Sequence, residues 1–122
     1  MDNDGLIEQR EIGLDLAQAI LASLRAVAAR EGIPGALAVC DRAGNMIAFA
    51  RMDGAPLGAT ELAINKAHTA VLWQMRSGEF QGSTQPGGDD WGLTASAGGR
   101  IVVYAGGVPV HVGDGRRAPS AR

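Results

Sequence analysis

The stretch that decides the fold is residues 35–51, which read GALAVCDRAGNMIAFAR. Two apolar runs flank the short polar segment DRAGN. In that segment, Gly44 suits a positive φ and Asp41 can accept hydrogen bonds from the backbone of the turn. Apolar runs joined by a turn of this composition are typical of a β-hairpin. The sequence therefore predicts two antiparallel strands joined by a tight turn.

An amphipathic helix is predicted on each side of this hairpin. In residues 14–31, apolar side chains recur at spacings of three and four, and Gly32 followed by Pro34 ends the pattern. Beyond the hairpin, Thr60 is a suitable N-cap for an alanine-rich helix over residues 60–76. This second helix carries apolar residues on two sides. The pattern indicates that a second surface of it is covered, by another subunit or by a lid.

The remainder of the chain contains a long loop and a second hairpin-like pattern. Residues 77–99 are rich in Gly, Ser, Gln, Pro and Asp and are predicted as a loop, which at this length is usually functional or mobile. Residues 100–112 alternate like two short strands joined by a Gly-Gly turn. The chain ends are predicted as a polar lead-in over residues 1–12 and a polar tail over residues 113–122. We expect residues 1–122 to form a single α+β domain.

Composition and charge exclude several classes of function. The chain has 122 residues, a formal net charge of −2 and a pI near 5.6, so it lacks the clustered basic surface of nucleic-acid-binding proteins. It carries no run of eighteen apolar residues and no signal-peptide pattern, which favours a cytoplasmic location without a membrane partner. Cys40 is the only cysteine, so an intramolecular disulfide is excluded and a buried, inert thiol is the expectation.

A candidate binding site is predicted where the first hairpin meets the second helix. Arg51 and Asp53 follow the second strand, and Lys66 lies on the helix with Thr69 within one turn of it. A guanidinium and an ammonium close together would hold a carboxylate well. The alternative is a structural ion pair, in which Asp53 pairs with Arg51 or Lys66 and attaches the loop to the helix. Sequence spacing leaves both interpretations open.

Histidines offer a second possible ligand type. His68 follows Lys66 closely but points to a different side of the helix. A lone histidine on a helix is more often packed or exposed than metal-bound, yet ligation of haem iron or of a metal stays open for His68 and, with less support, for His111. No His/Cys/Asp cluster has metal-ligand spacing, and no nucleophile elbow, Walker loop or dinucleotide fingerprint is present.

Three segments together resemble one known family. AVCDRAGNMIAFARMDGAP at residues 38–56, AINKAHTA at residues 63–70 and GGVPV at residues 106–110 are similar to the GlcG/HbpS (haem-degrading-domain) family. The similarity extends over residues 14–112. It implies a profilin-like α-β-α arrangement around an antiparallel sheet and assemblies of several subunits. Family members continue into a further strand and a C-terminal helix, so the chain is expected to lack these two elements and to be C-terminally truncated.

The resemblance also implies a function. It suggests a small ligand-binding module that takes haem, a corrinoid or a small anionic molecule, with Arg51, Asp53, Lys66, Thr69 and His68 as the candidate ligand-binding residues. A missing strand would expose a sheet edge or an apolar helix face, which favours a homo-oligomer. Two alternatives stay open. One is an enzyme of a catabolic or biosynthetic operon that acts on a small carboxylate with Lys66 or Asp53 as acid/base, and the other is a structural oligomer subunit.

Overall fold

The computed structural model describes residues 4–111. Its regular elements are helix α1 (Leu14–Arg30), strands β1 (Ala36–Cys40) and β2 (Met46–Arg51), and helix α2 (Ala59–Trp73). The predicted order of helix, hairpin and helix is confirmed, as is the α+β class with an antiparallel sheet.

The hairpin forms because the DRAGN segment satisfies its own backbone. β1 and β2 pair antiparallel, with Ala36 opposite Arg51 at the open end. At the closed end, a carboxylate oxygen of Asp41 accepts a hydrogen bond of 2.8 Å from the Asn45 backbone N–H. Gly44 has a φ of +86°, a conformation that a residue without a Cβ adopts readily. The predicted roles of Asp41 and Gly44 in the turn are confirmed.

The hairpin lies between the two helices. Helix α1 contacts both strands and α2 contacts mainly β1, whereas the two helices do not contact each other. Ala17 of α1 is fully buried against Val39 and Ala48, which form a cross-strand pair. Small side chains at this contact allow the helix to approach the sheet closely. The resulting α-β-α layering is the arrangement that the family resemblance implies.

Both helices end earlier than the periodicity predicts. Helix α1 ends at Arg30, one residue before the predicted end. Helix α2 ends at Trp73 because Gln74 adopts a left-handed conformation with a φ of 54°. A left-handed residue at this position is a common way to end a helix.

The prediction of a second hairpin over residues 100–112 is wrong for residues 100–111, which the structure describes. The sheet of the described residues contains two strands, β1 and β2. Backbone donors of the later segment bond instead to side chains of other elements. The Val102 N–H donates to the Thr69 hydroxyl at 3.0 Å, and the Gly107 N–H donates to the Ser77 hydroxyl at 2.9 Å. The segment therefore attaches to α2 and to the start of the short 3-10 helix Ser77–Phe80, and not to a strand.

The long loop predicted over residues 77–99 contains turns and three short 3-10 helices, Ser77–Phe80, Leu93–Ala95 and Ala97–Gly99. None of the helices formed by residues 4–111 has the length and apolar character needed to cross a membrane. The predictions of a polar tail over residues 113–122 and of a missing last strand and helix concern residues outside the part of the chain that the structure describes. The single-domain organisation stays a prediction.

Candidate functional site

Lys66 lies in the middle of α2, and its ammonium sits against an aromatic ring. It follows Ala59 by seven residues, which places it about 10 Å along the helix axis. The Nζ atom lies 4.8 Å from the centroid of the Tyr104 ring, and the side chain is half-buried. A Cβ atom on Gly106 would come within 2.8 Å of Nζ. The ammonium is thus held close to an aromatic face and to bare backbone, in a cation–π arrangement.

Residues 104–107, which we call the strap, cross α2 at Lys66 and are fastened by Ser77. The fully buried Ser77 hydroxyl donates a 2.6 Å hydrogen bond to the Tyr104 carbonyl and accepts one of 2.9 Å from the Gly107 N–H. The Ser77 N–H in turn donates to the Gly107 carbonyl at 3.0 Å. One buried serine therefore determines where the strap lies relative to Lys66.

Thr69 is placed inside the protein, one turn beyond Lys66. Its side chain is fully buried. The hydroxyl donates to the Asn65 carbonyl at 2.8 Å and accepts from the Val102 N–H at 3.0 Å. The hydroxyl of Thr69 therefore uses its donor and an acceptor position in hydrogen bonds within the chain. Contact between Thr69 and a ligand stays a prediction.

Arg51 and Asp53 lie at or just beyond the open end of the hairpin, whereas Lys66 lies nearer its closed end. Both are exposed, and Arg51 is at the open end, opposite Ala36. His68 contacts the turn at the closed end, so Lys66, two residues before it, is displaced towards that end. No salt bridge joins Asp53 to Arg51 or Lys66, all of which belong to the described part of the chain. Convergence of Arg51 and Asp53 with Lys66 on one ligand stays a prediction.

His68 is oriented by the hairpin turn. Its Nδ1 lies 3.1 Å from the Gly44 carbonyl oxygen. Because a carbonyl only accepts, Nδ1 carries the hydrogen in this contact, and Nε2 of the neutral ring then keeps its lone pair. Histidines that ligate metals are commonly oriented by such a bond to a backbone carbonyl. Positions two residues apart on a helix do not face each other, so His68 and Lys66 are directed to different places.

Asn65 of α2 is joined through its side chain to Arg100, which lies in the segment before the strap. The Arg100 guanidinium donates through Nε to the Asn65 side-chain oxygen at 3.1 Å.

Burial raises the pKa of the nearby Cys40 thiol, the Asp41 carboxylate adds to that effect, and Arg100 opposes it. A raised pKa favours the protonated thiol, which agrees with an inert cysteine, but Cys40 is half-buried and not fully buried as expected.

Two surface cavities lie beyond α2, and neither is lined by Lys66. The smaller, of about 70 Å³, includes Arg76 and His111. The larger, of about 380 Å³, is within the size range of small-molecule pockets but is lined by Glu79, Asp89 and Asp90, which disfavour an anionic ligand. Among residues 4–111, no group of three or more His, Cys, Asp or Glu side chains is arranged to hold a metal ion.

Sequence patterns alone do not single out Tyr104 or Ser77 as site residues. The signal that was available is the Gly-Gly pair of the strap, since paired glycines mark either a turn or a close approach of backbone to another group. In the structure the close approach is to Lys66: a Cβ on Gly107 would come within 2.2 Å of the Lys66 carbonyl oxygen.

Two helices enclose an antiparallel hairpin, and a glycine-containing strap crosses the second helix beside a half-buried lysine, which together define a small α+β domain. The chain belongs to the family described as "Haem degrading protein HbpS-like", which matches residues 12–118. The resemblance stated from the sequence motifs is thereby confirmed.

Relatives of known sequence or structure agree with this assignment. An uncharacterized 15.0 kDa protein of Citrobacter freundii, from the dhaT-dhaS intergenic region, is 32% identical over 99 residues, which are 81% of this chain and 70% of that protein. Klebsiella pneumoniae protein ORFY superposes with a TM-score of 0.87 at 28% identity, covering 92% of this chain and 77% of that one. The structure of a PduOC:haem complex superposes with a TM-score of 0.74 at 31% identity, covering 84% of this chain and 73% of that one.

Proposed function

We propose that this chain is a ligand-binding module whose ligand is haem, with Lys66 holding a carboxylate of that ligand. The observation that carries the proposal is the half-buried ammonium of Lys66, placed beside Tyr104 and free of a salt bridge to Asp53. A lysine in that environment has a charge to offer to an incoming anion. Membership of a haem-degrading family and a haem complex among the structural neighbours favour haem over other anions.

In this proposal, haem is held at one of its carboxylates. Lys66 would hold a propionate by a charge-assisted hydrogen bond. His68 would be the residue that ligates the haem iron, through the lone pair on Nε2. Because Lys66 and His68 are directed to different places, these two roles are separate parts of the proposal. Arg51 and Asp53 are proposed as additional contacts of an anionic ligand.

Other ligands and functions remain as alternatives. A corrinoid or a small organic acid could use the same ammonium. No observation favours the enzyme that acts on a small carboxylate, or the purely structural subunit, over the binding module. The proposed location is the cytoplasm.

An absorbance titration tests the haem proposal. We expect haem to give a saturable shift of its Soret band when the protein is added. Haem dimethyl ester, which lacks free carboxylates, should bind about 10- to 150-fold more weakly, because the charge-assisted hydrogen bond to Lys66 is lost. A parallel titration with a corrinoid distinguishes the two tetrapyrrole-like ligands. Equal affinity for haem and its ester would contradict a carboxylate contact, and no saturable change with haem would contradict haem binding.

We also propose that the chain associates with copies of itself. Part of the apolar stripe of α1 is exposed, with Leu14 at 55% and Leu24 at 42% exposure. Several apolar side chains of α2 are also exposed, namely Leu62, Leu72 and Trp73. Uncovered apolar helix faces favour association with another protein surface.

Light scattering at micromolar protein concentration should therefore give a mass above the 12.6 kDa of one chain. Leu24→Glu on α1 should reduce that mass, because it places a charge in the proposed interface. Leu57→Glu, in the loop before α2 where the side chain is 78% exposed, is the matched control and should leave the mass unchanged. A stable monomer in the unmodified protein would contradict self-association.

A further inference from the structure

We propose that Tyr104 is a positioning residue of the Lys66 site, acting on the ligand through the lysine. This inference rests on the proposed function, since it concerns the same ammonium. It adds a residue that neither the sequence motifs nor the family assignment marks, and it gives the strap a role in binding.

The argument begins with the freedom of a lysine side chain. Four rotatable bonds let the ammonium of an exposed lysine occupy many positions, and a ligand that immobilises it must overcome that loss of entropy. In this structure the Tyr104 ring centroid lies 4.8 Å from Nζ, and Gly106 is close enough that a Cβ there would overlap the lysine side chain. The ammonium is already confined before a ligand binds. Pre-organisation of this kind increases affinity by reducing the cost of ordering.

The hydrogen bonds of the strap hold the Tyr104 ring beside the Lys66 ammonium. The Tyr104 carbonyl accepts the 2.6 Å hydrogen bond from the buried Ser77 hydroxyl, so the backbone at Tyr104 is fixed independently of its side chain. The side chain itself is 44% exposed, which leaves the region around the ammonium accessible to a ligand. A substitution of the Tyr104 side chain therefore removes the ring without removing the contact that holds the strap.

Lys66 is the only lysine of the chain, which allows a direct spectroscopic test. Reductive methylation with ¹³C-formaldehyde retains the positive charge and gives one side-chain dimethylamine resonance besides that of the α-amino group. We expect this resonance to be shifted upfield by the ring current of Tyr104. Tyr104→Leu should return it to the position of a free dimethyl-lysine, and Tyr104→Phe, which keeps the ring, should leave it shifted.

Haem titrations of the unmethylated proteins then test whether the position of the Lys66 ammonium affects the affinity for haem. Tyr104→Leu should weaken haem binding about 2- to 13-fold, the range that corresponds to the cost of ordering one long side chain, while Tyr104→Phe should bind as the unmodified protein does. In a Lys66→Met background, Tyr104→Leu should have no further effect, because a residue that acts through the lysine has nothing left to position. Circular dichroism of Tyr104→Leu checks that the fold is retained.

The outcomes separate this inference from the function on which it rests. An unshifted resonance with haem binding intact overturns the positioning role alone. An equal loss of affinity from Tyr104→Leu in both backgrounds also overturns it, because the ring would then contact the ligand directly. A shifted resonance with no saturable haem binding overturns the proposed function, and the positioning role in binding with it.

Discussion

Gly107→Ala should lower the free energy of unfolding by about 2–4 kcal/mol. The added Cβ would lie 2.2 Å from the Lys66 carbonyl oxygen and 2.8 Å from its carbonyl carbon. Both are backbone atoms of α2 and cannot rotate away, so the strap must move. Movement of the strap breaks the two hydrogen bonds between Gly107 and Ser77 and leaves the buried Ser77 hydroxyl without one of its partners. Chemical denaturation followed by circular dichroism measures the loss.

Gly82→Ala provides the matched control. A Cβ there meets no atom within 4 Å, and the residue is exposed. Its effect on stability should stay within about 0.5 kcal/mol, the usual range for surface substitutions. A Gly107→Ala protein as stable as Gly82→Ala would show that the strap does not pack against α2 as closely as the structure has it.

The helix-hairpin-helix part of the fold was predictable because it depends on local chemistry. The DRAGN turn satisfies its own backbone through Asp41 and Gly44, and it does so wherever the hairpin is placed in a protein. The apolar spacing of α1 specifies a helix without reference to its partners. Even so, the end of α2 was predicted three residues too late, because the left-handed conformation of Gln74 has no strong local signal.

The second hairpin was predicted wrongly because its hydrogen-bond partners are distant in sequence. The apolar run that includes Val102 has the composition of a strand, and strand propensity depends strongly on context. In the structure the Val102 N–H bonds to the hydroxyl of Thr69, which is 33 residues away along the chain. Side-chain hydroxyls compete with strand pairing for backbone donors. No pattern within the segment itself reveals that competition.

The candidate site was predictable only in part. Lys66 stands out in the sequence as the sole lysine on an alanine-rich helix. No sequence pattern indicates that Tyr104 contacts Lys66. The contact depends on the position of the strap, which is set by the buried hydroxyl of Ser77. Serine in a polar, glycine-rich stretch resembles any loop residue until the tertiary contacts are known.

Lys66→Met should weaken haem binding by about 1.5–3 kcal/mol while leaving thermal stability nearly unchanged. Methionine retains most of the apolar volume of the lysine side chain and removes its charge. Had Lys66 paired with a buried Asp53 carboxylate, the same change would destabilise the fold by about 3–5 kcal/mol. Asp53 is exposed and forms no salt bridge with Lys66, so that penalty is not expected. Haem titration and thermal melting of the same variant measure the two effects.

Arg25→Met is the matched control, since it removes one positive charge from an exposed position on α1. It separates a specific contact at Lys66 from a general change in net charge, because a nonspecific electrostatic effect would weaken haem binding in both variants alike. Loss of affinity in Lys66→Met alone, with both melting temperatures unchanged, is the expected result. Unchanged haem affinity together with a large fall in the melting temperature of Lys66→Met would assign the lysine to the structure of the domain and remove it from the binding site.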